Sequence, residues 1–244
     1  MRLCCLILLG LAGIGGGRDV FGGTNDLFRQ GADAYRNGQF ADAAKDFRTA
    51  AEGVPASGTL LNLGLTEWRR GRVGAALLAW EQAQWVDPFD ARARANLRYA
   101  RQVTGVESPD LSWYERASSW LPFNAWAWLA GGSLWLAIGL SVLPGVFRWR
   151  KPAWTQAVAA LSLAVFLASL PALIGVVTRT QIGLVLQRDV PLRLTPTEEA
   201  EAVTKLPSGE PARVVRSLGE YVLVRTARGQ GWVRRGQFGF ICPK

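Results

Sequence analysis

The chain of 244 residues carries 28 Lys and Arg against 19 Asp and Glu, a formal net charge of +9, and no histidine. Without histidine there is no Ser-His-Asp or Cys-His arrangement and no imidazole metal ligand, and three cysteines, two of them at positions 4 and 5, cannot build a zinc site or a disulfide framework. Residues 18–116 hold 13 charges of each sign, so the basic surplus sits mainly at 148–152 and 179–244; no zinc spacing, ribonucleoprotein strand or basic zipper accompanies it, and no nucleic-acid partner is expected.

Met1-Arg2 and the apolar run at 3–14, closing on Gly13, Gly15, Gly16 and Gly17, have the form of a secretory signal over 1–17. Residues 24–104 then repeat with an offset of 33. Gly31, Ala34, Tyr35, Gly38, Phe40, Ala43, Phe47, Ala50 and Pro55 recur as Gly64, Glu67, Trp68, Gly71, Val73, Ala76, Trp80, Ala83 and Pro88. Small residues mark where helices touch and aromatics where they interlock. Gly38 and Gly71 end the first helix of each pair, and the prolines stop the second. A third helix over 90–104, with Leu97, Tyr99 and Val103, is expected to cover the second repeat as a cap. Residues 105–120 carry turn formers without a sustained period and read as a juxtamembrane linker.

No charged residue lies between Arg116 and Arg148, or between Lys151 and Arg179. Each stretch exceeds the roughly 20 residues that cross a bilayer core, so two transmembrane helices are expected at 121–147 and 153–178. The loop 148–152 holds Arg148, Arg150 and Lys151 without an anion, which retains it in the cytoplasm. Both long flanks then face the periplasm, in agreement with the signal. Trp113, Trp120, Trp126, Trp149 and Trp154 cluster near the span ends, where amphipathic rings suit the headgroup layer. Ala160, Ala164, Ala168 and Ala172 form a small-residue stripe expected to pack on the first span at Gly132 and Gly139.

After residue 178 the pattern changes to short alternating runs. Strands are expected at 182–186, 192–193, 213–217, 221–226 and 230–234, with turns at Pro207-Ser208-Gly209, Leu218-Gly219 and Arg228-Gly229. Evenly spaced short strands over 181–244 predict a small all-β barrel. Trp232 reads as part core and part groove wall. Tyr221, Trp232 and Phe238 together would make an aromatic shelf for a peptide or cell-wall fragment, while Cys242 reads as a small apolar residue.

The repeat pattern resembles the tetratricopeptide repeat. What that resemblance implies is a concave groove lined by Tyr35, Arg36, Asn62, Trp68, Arg69, Arg92, Asn96 and Tyr99. There the amides of Asn62 and Asn96 would pair with an extended peptide backbone, and Arg69 and Arg92 would hold a carboxylate; the plainer reading is of solvated arginines on a scaffold. Val190-Pro191-Leu192-Arg193, Pro196, Leu206-Pro207-Ser208-Gly209, Val214-Val215, residues 221–225 and, most specifically, Gly231-Trp232-Val233 resemble the bacterial SH3 (SH3b) domain. The order of signal, repeat pair, membrane hairpin and barrel resembles the BatE-like family of aerotolerance-operon proteins. The expected fold class is therefore multidomain: all-α tetratricopeptide hairpins, a two-helix transmembrane hairpin and an SH3-like barrel. The resemblance implies a non-catalytic envelope adaptor, without cofactor or metal. Its partners would be proteins, among them membrane proteins with von Willebrand A domains, together with membrane lipid. The alternative is a sensor or tether that binds peptidoglycan through the barrel.

Overall fold

The computed structural model describes residues 18–146 and 153–243, with side chains from residue 23 onward. The expected signal at 1–17 and the basic loop at 148–152, with Arg148, Trp149, Arg150 and Lys151, lie outside the described residues. Within them are eight α-helices and seven strands.

Helices α1 (Arg18–Arg36), α2 (Phe40–Gly53), α3 (Ser57–Arg69) and α4 (Val73–Val86) form two hairpins. Each turns on a glycine in the left-handed region, Gly38 at φ +75° and Gly71 at φ +71°, where a side chain would be strained. The turns close alike: Gln39 N donates to Ala34 O and Arg72 N to Glu67 O, both at 2.9 Å. Phe47 and Trp80 are 1% and 2% exposed. Each lies against the glycine of its partner helix, Gly31 and Gly64 respectively. The offset of 33 read from the sequence is thus a repeat of structure. Helix α5 (Ala91–Thr104) starts at Asp90, whose carboxylate accepts the amides of Arg92 and Ala93 at 2.9 and 3.3 Å, the usual way to satisfy orphan N–H groups. Its Ala93, Leu97 and Ala100 join the core of the second hairpin.

The stretch expected as a plain linker contains helix α6 (Trp113–Ser118), nucleated by a capping box between Ser112 and Glu115. Helices α7 (Phe123–Val146) and α8 (Ala153–Arg179) follow, with 24 and 27 residues. At about 1.5 Å per residue both exceed the roughly 30 Å of a hydrocarbon core, and both are apolar enough to cross one. Most of their exposed side chains are apolar, among them Trp128, Trp135, Leu161 and Ile174. The seam between them differs from the expectation. Buried positions recur every seven residues, at Ala130, Ala137 and Pro144 on α7 and at Thr155, Ser162, Ser169 and Val176 on α8. The alanine stripe faces away: Ala160, Ala164 and Ala168 are exposed and only Ala172 is buried. Around Gly132 there is open space, and Gly139 meets only Leu143 of its own helix. Serine suits the seam because its hydroxyl bonds within its own helix, Ser162 to Val158 O at 2.8 Å and Ser169 to Phe166 O at 2.7 Å, so neither hydroxyl is buried unpaired.

Strands β1 (Ile182–Val185), β2 (Val190–Arg193), β3 (Ala202–Leu206), β4 (Pro211–Leu218), β5 (Tyr221–Thr226), β6 (Gly229–Arg234) and β7 (Phe238–Phe240) pair antiparallel in the order β3-β2-β6-β5-β4-β1-β7. Side chains from all seven meet in one core, with Val185, Leu192, Leu206, Ala212, Val222, Val233 and Phe238 among them, so the sheet curls on itself. Register shifts at Leu192/Arg193 and Val214/Arg216 supply bends. The sequence pattern did not reveal β3 and β7. Only Leu206 of β3 is buried, so no alternation marks it, and β7 has three residues.

A Cβ on Gly64 would lie 2.3 Å from the Trp80 indole, whereas nothing lies within 4 Å of one on Gly58 in the same helix. Gly64→Ala is expected to lower stability by about 1–3 kcal/mol through overpacking, and Gly58→Ala to leave it unchanged or raise it by up to ~1 kcal/mol. Thermal unfolding of the detergent-solubilised chain measures both; equal melting temperatures would show that the interlock does not hold the hairpin.

Candidate functional site

The residues expected in a groove fall on α1, α3 and α5, and the structure gathers them in two groups. Tyr35 and Arg36 at the end of α1 face Asn62 and Leu65 of α3 across a cleft of about 310 Å³ floored by Ala32 and Phe47. Tyr35 is held by an edge contact with Phe40, centroids 5.3 Å apart, and Arg36 pairs with Asp33. Asn62 is half-buried on the cleft wall, and among the described residues its side-chain amide has no hydrogen-bond partner. Further along, Trp68 of α3 packs between Trp80 and Tyr99 of α5, at 6.0 and 6.1 Å. Trp68 is half-buried and serves the core as much as the surface, while Tyr99 is exposed. Arg69 and Arg92 are exposed, Asn96 is half-buried, and none of the three lines the cleft. Arg92 is tied to Asp90 at 3.5 Å. Burial works to raise the pKa of Asp90, but the hydroxyl of Ser57, the amides of Arg92 and Ala93, and the Arg92 side chain lower it overall.

The aromatic trio of the β-domain does not form one shelf. Leu223 pairs with Trp232 across β5 and β6, with Val222, Val224 and Val233 pointing into the core. Alternation puts Tyr221, Leu223 and Trp232 on the outer face. Phe238 lies on β7, paired with Val185, and is 5% exposed in the core. Its ring packs on Phe240 instead, centroids 5.4 Å apart. Phe238 points into the apolar core that the curled sheet surrounds, so it offers no ring to a surface shelf.

Sequence reasoning missed how the β-domain docks on the helices. Gly74 at the start of α4 donates its N–H to Ser208 Oγ at 2.9 Å. A Cβ there would meet Val185 O at 2.4 Å, so glycine admits the sheet backbone to the helix. Leu78 packs on Gly239 and Leu77 on Gly209; Gln82 Nε2 donates to Phe240 O at 2.9 Å. Leu184 of β1 joins the helical core outright. Beside this contact lies a cleft of about 780 Å³ lined by Arg48, Glu52, Glu67, Arg72, Leu78 and Arg188, among others. The signal was present in α4 itself: it is apolar all round, with Val73, Leu77, Leu78, Trp80 and Val86, and a helix of that kind is covered on every side.

A second tie runs from α6 to β4. Glu115 is fully buried. Arg213 grips it with both terminal nitrogens, at 2.8 and 3.0 Å, and the Ser112 amide donates to it at 2.9 Å. Burial would raise its pKa, but the Arg213 guanidinium, the Ser112 amide and Thr178 outweigh burial and hold it at about 2. Reciprocally, the carboxylate raises the pKa of Arg213. At the membrane end Gly175 of α8 lets the Tyr114 carbonyl approach, and Trp126 Nε1 donates to Ser118 O at 3.2 Å. Helix α6 is therefore a wedge between the hairpin and the β-domain. Among the described residues, no group of three or more His, Cys, Asp or Glu side chains is placed to hold a metal ion.

Because the folded pKa of Glu115 lies below the ordinary carboxylate value of 4.5, the pair stabilises the fold above that pH and loses its contribution as pH falls towards about 2. The contribution is on the order of 3 kcal/mol. Glu115→Gln is expected to melt well below the wild type at pH 7, with the difference shrinking as both are acidified below pH 4. A difference that persists unchanged at low pH would assign the effect to shape and not to charge.

Compared with protein-family models, with curated proteins and with solved structures, the chain matches none.

Proposed function

We propose that this chain is a non-catalytic adaptor anchored in a bacterial inner membrane by α7 and α8, and that it holds a segment of a partner protein on the face made by α1, α3 and α5. One observation carries the reading: the β-domain docks on α4 and leaves that face open, with the Tyr35, Arg36 and Asn62 cleft at one end. In this reading the hairpins are tetratricopeptide repeats and the curled sheet is an SH3b domain. Membrane proteins of a BatE-like envelope complex, including those with von Willebrand A domains, are the first partners to try.

Both soluble parts belong to one side of the membrane in this reading. Their support is mutual contact: β1 and β7 touch α4, and Arg213 holds Glu115, which two domains on opposite sides of a bilayer could not do. The basic loop at 148–152 and the signal over 1–17 make that side the periplasm.

Two measurements test the proposal. Pull-down from detergent is expected to lose its protein partners, by about tenfold or more, in an Asn62→Ala, Asn96→Ala double variant with unchanged melting temperature; equal recovery of every partner would remove the groove from the mechanism. In cells with a permeabilised outer membrane, added protease is expected to reach both soluble parts while a tag at Trp149 stays protected. Digestion of one part alone would break the shared compartment.

A further inference from the structure

Where the span ends meet the soluble parts, helices α4, α5, α6 and α8 and the β-domain border an open polar cleft of about 520 Å³. Three arginines from three elements line it: Arg101 of α5, Arg116 of α6 and Arg179, the last residue of α8. Each keeps donors to spare. Arg101 pairs with Glu81 through one terminal nitrogen, but its Nε is buried without a partner among the described residues, and such an N–H costs stability unless something accepts it. Arg116 makes one long bond, 3.4 Å, to Leu111 O. Arg179 lies 4.7 Å over the Trp85 ring and gives one bond, 3.3 Å, to Ser118 Oγ, which occupies one of its five N–H donors. The acidic side chains on the wall are Glu81 and Asp110. Three cations against two anions leave a single positive charge.

We propose that this cleft binds the head group of an anionic glycerophospholipid, a phosphodiester that bears one negative charge and a polyol. The guanidinium forks match phosphate oxygens, and Asp110 with Ser119, also on the wall, accepts and shares the polyol hydroxyls. Position supplies the second line of argument. Ser119 stands four residues before α7 begins, and Arg179 ends α8. Trp113 and Trp120 beside them are 70% and 68% exposed, as rings placed in the headgroup layer are. The inference rests on the reading that α7 and α8 span a membrane. A soluble glycerophosphodiester offers the same chemistry, and the test separates the two sources.

The test is native mass spectrometry of the full chain, released from micelles holding equal amounts of phosphatidylglycerol and phosphatidylcholine. Wild type is expected to retain phosphatidylglycerol at least tenfold over phosphatidylcholine. Arg116→Gln, an exposed position that carries little of the fold, is expected to reduce that retention about tenfold, and Arg101→Gln to reduce it at least as far. Equal retention of the two lipids, or a variant pair that retains phosphatidylglycerol like the wild type, would overturn the proposal. So would glycerophosphoglycerol, the deacylated head group, binding as tightly as the lipid, since that makes the ligand a solute. Extraction of cell membranes at alkaline pH keeps the two readings apart: release of the chain defeats the membrane reading, whereas a chain that stays in the pellet but shows no lipid preference defeats only the cleft.

Discussion

A carboxylate removed from water needs a partner that matches it atom for atom, and Glu115 has one in Arg213. Breaking such a pair leaves an uncompensated buried charge, so the two side chains cannot drift apart without a large cost. One belongs to a six-residue helix just ahead of α7 and the other to the fourth strand, 98 residues on. Their union holds the β-domain over the ends of the hairpin. That position in turn presses β1 and β7 against α4, where Gly74, Leu78 and Gln82 meet them. The open face of α1, α3 and α5 is what remains once α4 has been used.

The hairpin obeys a different constraint. Helices α7 and α8 meet where side chains are small or bond to their own backbone, as at Ala130, Ala137, Ser162 and Ser169. Alanine alone meets the first condition, but serine in a helix meets both, and a repeat of seven keeps Ser162 and Ser169 on one line. The fourfold alanine spacing drifts around the helix, so that Ala160 and Ala172 end on different faces. A stripe legible in the sequence was therefore real as a pattern and wrong as a seam.

The same contrast runs through the soluble parts. A side chain's neighbours within a hairpin are set by short-range register, and the offset of 33 carried that register openly: Gly31 with Phe47 and Gly64 with Trp80 occupy matching places. The face on which Trp232 and Phe238 lie depends on how a sheet curls. Alternation within one strand shows which residues share a face, but only the closing of β7 on β1 shows that Phe238 points inward.

Periodicity and composition by themselves determined the two helical hairpins, the boundaries of the two long apolar helices to within a few residues, and five of the seven strands, because each leaves a local pattern of apolar and turn-forming residues along the chain. They also determined the absence of histidine chemistry. Tertiary structure alone decided that α6 exists as a wedge, that the β-domain sits on α4, that Glu115 is buried and that three arginines from distant elements share a cleft. Those facts rest on pairings across as many as 158 positions, as between Gln82 and Phe240. A one-dimensional pattern holds no record of such a meeting beyond the unusual sight of a helix, α4, that is apolar on every side.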